Sequence, residues 1–122
     1  MIVALVFVGG AVGAPSRYLL DRFVQSRHRW RFPLGTIAVN VIGCLVIGAL
    51  AGRIASGRLH MTPAMRTFVF VGLLGGFTTF SSFGLDTFTL AHGGDHSTAF
   101  WNVAGQVGLG LGAVYLGFNL GL

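Results

Sequence analysis

The chain has 122 residues, 53% of them hydrophobic and 9% charged, and its net charge of +5 comes from eight arginines set against three aspartates. A soluble domain of this size exposes too much surface for so few charges to wet, and a mean hydropathy of +0.77 points to bilayer as the solvent. The arginines fall mostly between apolar runs, as membrane-flanking residues do, which argues against a nucleic-acid partner.

Four apolar segments follow in order, each near the roughly 20 residues that a helix needs to cross the hydrocarbon core. The chain therefore reads as one all-α, four-span membrane domain over residues 1–122. The first segment runs from Ile2 to Leu20. Its opening, MIVALVFVGGAVGA, lacks a basic leader and reads as the start of a span. The loop DRFVQSRHRWRF then carries Arg22, Arg27, Arg29 and Arg31, with Trp30 as an interfacial anchor.

The second span, Leu34 to Gly52, begins behind Pro33 and carries Thr36 and Asn40 one turn apart on one face. Cys44 lies inside this run and has no partner for an intrachain disulfide. The loop RIASGRLHM leads to the third span, Pro63 to Ala91. Its centre, GGFTTFSSFG, is a poor recipe for an uninterrupted lipid-facing helix. It holds Thr78, Thr79, Ser81 and Ser82 with Phe80 and Phe83 three apart. The short HGGDHS segment offers His92, Asp95 and His96 as metal candidates, but its two glycines mark a flexible loop. The last span, Thr98 to Leu122, has Trp101 as a further interfacial anchor and Asn102 and Gln106 four apart.

Twenty glycines let helix backbones approach closely in a membrane, and they recur in pairs: Gly9 and Gly13, Gly48 and Gly52, Gly72 and Gly76, Gly108 and Gly112. Four arginines in the first loop face three, Arg53, Arg58 and Arg66, plus the terminal amine on the other side. That balance is compatible with insertion in both orientations, and equally with one topology that keeps the first-loop cluster cytoplasmic.

A lone Asn or Gln in a span is ordinary interhelical glue. Three polar stripes without a mid-depth carboxylate read instead as a pathway for a small anion, because neutral donors replace hydration without trapping the ion. Phenylalanine ring edges, which are electropositive, add weak anion contacts.

At GGFTTFSSFG the chain resembles the Fluc (CrcB) family of fluoride channels, whose third span reads G-G-hydrophobic-T-T-F-S-T-F, with Ser82 here where the family usually has Thr. The likeness extends to GGAVGAPSRYLL in the first span and PLGTIAVNVIGC in the second. It implies an antiparallel, dual-topology homodimer in the inner (plasma) membrane, with two fluoride pores and a broken third helix. It also implies that main-chain carbonyls of Gly75 and Thr78 hold a central structural sodium ion. By motif position Asn40 is the pore asparagine, Phe80 and Phe83 line the anion path with Thr36, Thr79 and Ser81 close by, and Arg17 sets the potential of the vestibule. The family's fourth span often presents Tyr and Ser to the pore where this chain has Asn102 and Gln106.

Two other classes share part of this pattern. A small four-span multidrug transporter needs an embedded glutamate in its first span, and this one has none. An accessory membrane subunit explains the small-residue packing but not the asparagine and phenylalanines together.

Overall fold

The computed structural model describes residues 1–29, 32–78 and 80–122. Trp30, Arg31 and the pathway candidate Thr79 lie outside the described residues. Among those described there are only helices and turns, and four helical runs are long and apolar enough to cross a membrane.

Helix α1 (Ile2–Ser26) continues six residues beyond the apolar segment. Its last turns are amphipathic, with Arg22 over the Tyr18 ring and Arg27 over Phe23, each one turn apart. Gln25 then fixes the entry to α2 (Leu34–Ala55): its amide donates to the Phe32 carbonyl at 3.3 Å and accepts the Gly35 N–H at 3.0 Å. Pro15 sits within α1 and removes one ladder bond, while the neighbouring Ser16 hydroxyl donates to the Val12 carbonyl at 2.7 Å.

The third span starts at a capped N-terminus, where the Thr62 hydroxyl accepts the Met65 N–H and Pro63 occupies the first helical position. It proceeds as α3 (Pro63–Arg66), a wide π-helical stretch (Thr67–Leu74) and a short α4 (Gly75–Phe77). The chain leaves the helix at Thr78, with φ −92° and ψ 149°, and α5 (Phe80–His92) then resumes. Gly94, at φ 88°, turns the chain after α5. Asp95 caps α6 (His96–Gly121) by accepting the Thr98 N–H at 3.2 Å, and His92 stacks on Phe88, so this segment is occupied by a helix start.

The break is where the motif predicts it, but its cause differs from a glycine kink. Gly75 is helical, at φ −62° and ψ −36°, and the extended conformation falls on a threonine, which adopts it without strain. The glycines serve proximity. A Cβ at Gly76 would stand 3.1 Å from the Cα of Gly10, and one at Gly9 would stand 2.8 Å from the Phe68 carbonyl. This seam joins α1 to the first half of the third span.

A second seam joins α2 to α6. Side chains at Gly48 and Gly52 would run into the carbonyls of Val114 and Phe118, and those at Gly117 and Gly121 into the carbonyls of Leu45 and Ala49. The paired Gly108 and Gly112 do not take part, since a Cβ on either would meet nothing within 4 Å among the described residues. They fall on the outer side of α6, and Gly117 and Gly121 supply its close-packing face instead.

Candidate functional site

Two seams bring three polar stripes together behind the break in the third span. On α2, Thr36 and Asn40 share a face, and one turn further Gly43 leaves room for the Thr78 methyl, which fills the space a side chain would need. The break is thereby seated directly on α2. On α6, Asn102 is completely buried and Gln106 nearly so. On α5, Phe80, Phe83 and Thr87 follow at helical spacing.

The stripes are wired to one another. Asn40 Nδ2 donates to Gln106 Oε1 at 2.9 Å, Gln106 Nε2 to Asn102 Oδ1 at 3.5 Å, and Asn102 Nδ2 to Thr87 Oγ1 at 2.9 Å. Thr87 in turn donates to the Phe83 carbonyl at 2.8 Å. Separately, Thr36 Oγ1 donates to Asp86 Oδ2 at 2.9 Å. Buried amides this well partnered keep a defined orientation in a medium where an unmatched group is costly.

Asn40, Thr78, Phe80, Phe83 and Gln106 line one cavity of about 310 Å³, whose remaining wall is largely apolar and includes Cys44 and Leu74. The Phe80 and Phe83 rings meet edge to face, with centroids 5.4 Å apart, so one ring edge is turned against the neighbouring ring. Phe80 is 82% exposed in a single copy of the chain.

Thr36 stands apart from this cavity. With Arg17, Asp21 and Ser82 it lines a chamber of about 10 Å³, close to the size of one water molecule. Arg17 Nε is buried beside that chamber without a hydrogen-bond partner among the described residues. Asp21 lies over Gly35 at the head of α2. Ser81 is exposed on α5.

Of the residues singled out in the sequence, the structure places Asn40, Thr78, Phe80, Phe83 and Gln106 around one cavity, and separates Thr36 from them, beside Arg17. Asn102 belongs behind the cavity wall, where it holds Gln106. Asp86 and Thr87 were missed. Continuing the helical period from Phe80 and Phe83 reaches Thr87, and the same period carries Ser82 to Asp86, so the signal lay in the spacing.

A helical protein of four membrane-spanning runs, with amides and hydroxyls gathered on a cavity at a broken third helix, is a multi-pass membrane protein equipped to handle a small polar solute. Residues 4–118 match the family described as CrcB-like protein, Camphor Resistance (CrcB). Over 119 residues, 97% of this chain and 92% of the other, it is 47% identical to a protein of Methylobacillus flagellatus named fluoride-specific ion channel FluC. A protein of the same name from Paracoccus denitrificans is 45% identical over 117 residues, covering 95% of this chain and 90% of its own. Fluoride-specific ion channel FluC 1 of Streptomyces avermitilis is 43% identical over 113 residues, covering 93% and 90%. The chain belongs to the CrcB family, whose named members are channels and not enzymes.

Proposed function

We propose that this chain is a passive fluoride channel of the inner (plasma) membrane that exports fluoride and so relieves its toxicity. The observation that carries the reading is the cavity at the helix break, where the Asn40 amide and the edge-to-face phenylalanines share one wall system. The relatives' names supply the ion. Neutral donors and ring edges suit an anion that must shed water and still leave, and short hydrogen bonds favour fluoride over larger halides. Arg17 beside the small chamber provides positive potential at the approach. Thr36 lines the same small chamber as Arg17 and would add a hydroxyl at that approach.

The working unit is an antiparallel homodimer with two pores. One copy leaves Phe80 and Gly75 uncovered, and a pore phenylalanine 82% exposed calls for a second copy to close the path. A structural sodium ion sits on the dimer axis, held by the main-chain carbonyls of Gly75 and Thr78. The residues fit such an ion. Both the N–H and the hydroxyl of Thr78 are spent on the Leu74 carbonyl, at 2.9 and 3.0 Å, so Thr78 offers an ion its carbonyl oxygen. The extended backbone at Thr78 interrupts the i→i+4 ladder that takes up such carbonyls in a continuous helix. The ion would offset the partial negative charge of clustered carbonyls where the two copies cross.

Proteoliposomes carrying the purified chain should release fluoride without a proton gradient and retain chloride. Chloride release at the fluoride rate, or strict proton dependence, would sink the reading. Gly75→Val tests the dimer and its ion together. Among the described residues a Cβ there meets only the Phe70 carbonyl, at an ordinary 3.6 Å, so loss of the dimer with a folded monomer marks a partner at Gly75. A mutant that stays dimeric, retains sodium and conducts would remove the axial site.

A further inference from the structure

We propose that Thr87 and Asn102 are positioning residues which, through Gln106, fix the amide of Asn40 at the cavity wall without touching the ion. The inference rests on the fluoride-pathway reading above and concerns how this chain holds that pathway. Asn40 and Gln106 line the cavity, whereas Asn102 and Thr87 do not. Asn102 is fully buried behind it.

The chain of bonds has a polarity, and one backbone group sets it. The Phe83 carbonyl can only accept, so it takes the single hydroxyl proton of Thr87. Thr87 Oγ1 is then an acceptor, which turns the Asn102 –NH2 toward it and the Asn102 Oδ1 toward Gln106. That oxygen engages Gln106 Nε2 and leaves Gln106 Oε1 facing α2, where it accepts from Asn40 Nδ2. Each amide orientation follows from the one before it. The –NH2 of Asn40 is thus directed by a hydroxyl three bonds away on another helix, and the second N–H of that group is held with it. Successive bonds of one sense also polarise one another and strengthen the bond that holds Asn40 to Gln106.

Thr87→Val removes the acceptor with little change of shape, and Thr87→Ser restores it. Fluoride efflux from proteoliposomes should fall about tenfold in Thr87→Val, the size expected when a buried amide loses a partner, and recover to within about threefold in Thr87→Ser. Combining Thr87→Val with Asn102→Leu should cost no more than the worse single change, because either one severs the same chain.

The decisive readout is the side-chain amide resonance of Asn40 in asparagine-labelled protein, assigned by its disappearance in Asn40→Ala. It should move in Thr87→Val, return in Thr87→Ser, and stay in place in Thr89→Val, a change on the exposed side of the same helix. Thr87→Cys, close in shape and weak as a hydrogen-bonding group, gives an intermediate shift and serves if the valine variant does not fold. An Asn40 resonance unmoved by loss of the Thr87 hydroxyl overturns the proposal even where flux declines. The expected shifts in a protein that releases no fluoride uphold the hydrogen-bond chain and defeat the channel reading, so the two failures are told apart.

Discussion

The two halves of the third span cross the same membrane and are held by different forces. The first half, up to Phe77, lies against α1 with backbone on backbone, and the contacts that matter are glycines whose missing side chains leave no gap. The second half, from Phe80, is tied to α2 and α6 through side chains: Asp86 to Thr36, and Thr87 to Asn102. A glycine seam is insensitive to chemistry and intolerant of volume. A polar tie is the reverse, since it tolerates shape and fails on the loss of one proton or lone pair. The extended residue at position 78 separates the two regimes.

The largest expected effect lies on the polar side. Asn40→Asp puts a negative charge beside the cavity, and at about 4 Å with an effective dielectric near 20 the repulsion of an anion is about 4 kcal/mol. Fluoride efflux should drop by about a thousandfold while the protein still elutes as a folded species. Undiminished efflux would move the path away from Asn40.

Next comes the seam. Gly13→Val drives a side chain into the Leu73 carbonyl and should lower stability by roughly 1–3 kcal/mol, with the folded fraction conducting as before. Unfolding in mixed micelles followed by circular dichroism measures it, and a midpoint equal to that of the unmodified chain would show that the seam yields easily. Phe83→Ile is expected to be milder. It keeps apolar volume and loses the ring edge, so flux should fall by up to about tenfold, in line with the roughly 0.5–1.5 kcal/mol of such aromatic contacts. Flux equal to that of the parent would reduce Phe83 to core.

The smallest effect is expected at Gly84, which has open space around it within one copy. Gly84→Ala should change stability by less than about 1 kcal/mol, through helix propensity alone. A large loss of stability in that variant would mark a contact at Gly84 that a single copy does not contain.

Much of this division was legible in the sequence. Span count and limits came from hydropathy, since a bilayer-crossing run cannot be disguised, and the motif around Phe80 placed the break within a residue or two. The α1 overrun to Ser26 was not legible, because its final turns are polar and owe their helicity to arginine–aromatic pairs and to Gln25. Which glycines close a seam was half legible. Spacing finds pairs such as Gly9 and Gly13, but the rotation of α6 about its axis, which turns Gly117 inward and Gly108 outward, depends on α2. Of the site residues carried by the motif, Asn40, Thr78, Phe80 and Phe83 line one cavity, whereas Arg17 and Thr36 line another. Asp86 and Thr87 escaped because an acid or hydroxyl near a span end looks like an interfacial residue until its partner on another helix is known.

The extended step at Thr78 also bears on how such a chain tolerates insertions and deletions. Adding one residue to a continuous helix rotates everything beyond it by about 100° and would swing a whole polar face toward lipid. Here the rotation can end at the joint, because the segments on either side are not locked into a common helical phase. An alanine inserted at position 70 should disturb the contacts with α1 and leave Phe80, Phe83 and Thr87 facing as they do. One inserted at position 85 should misplace Asp86 and Thr87 and spare the glycine seam. An insertion scan scored separately for folding and for fluoride flux would show two independent blocks of sensitivity with a permissive point between them. A single unbroken block would mean that the joint transmits rotation after all.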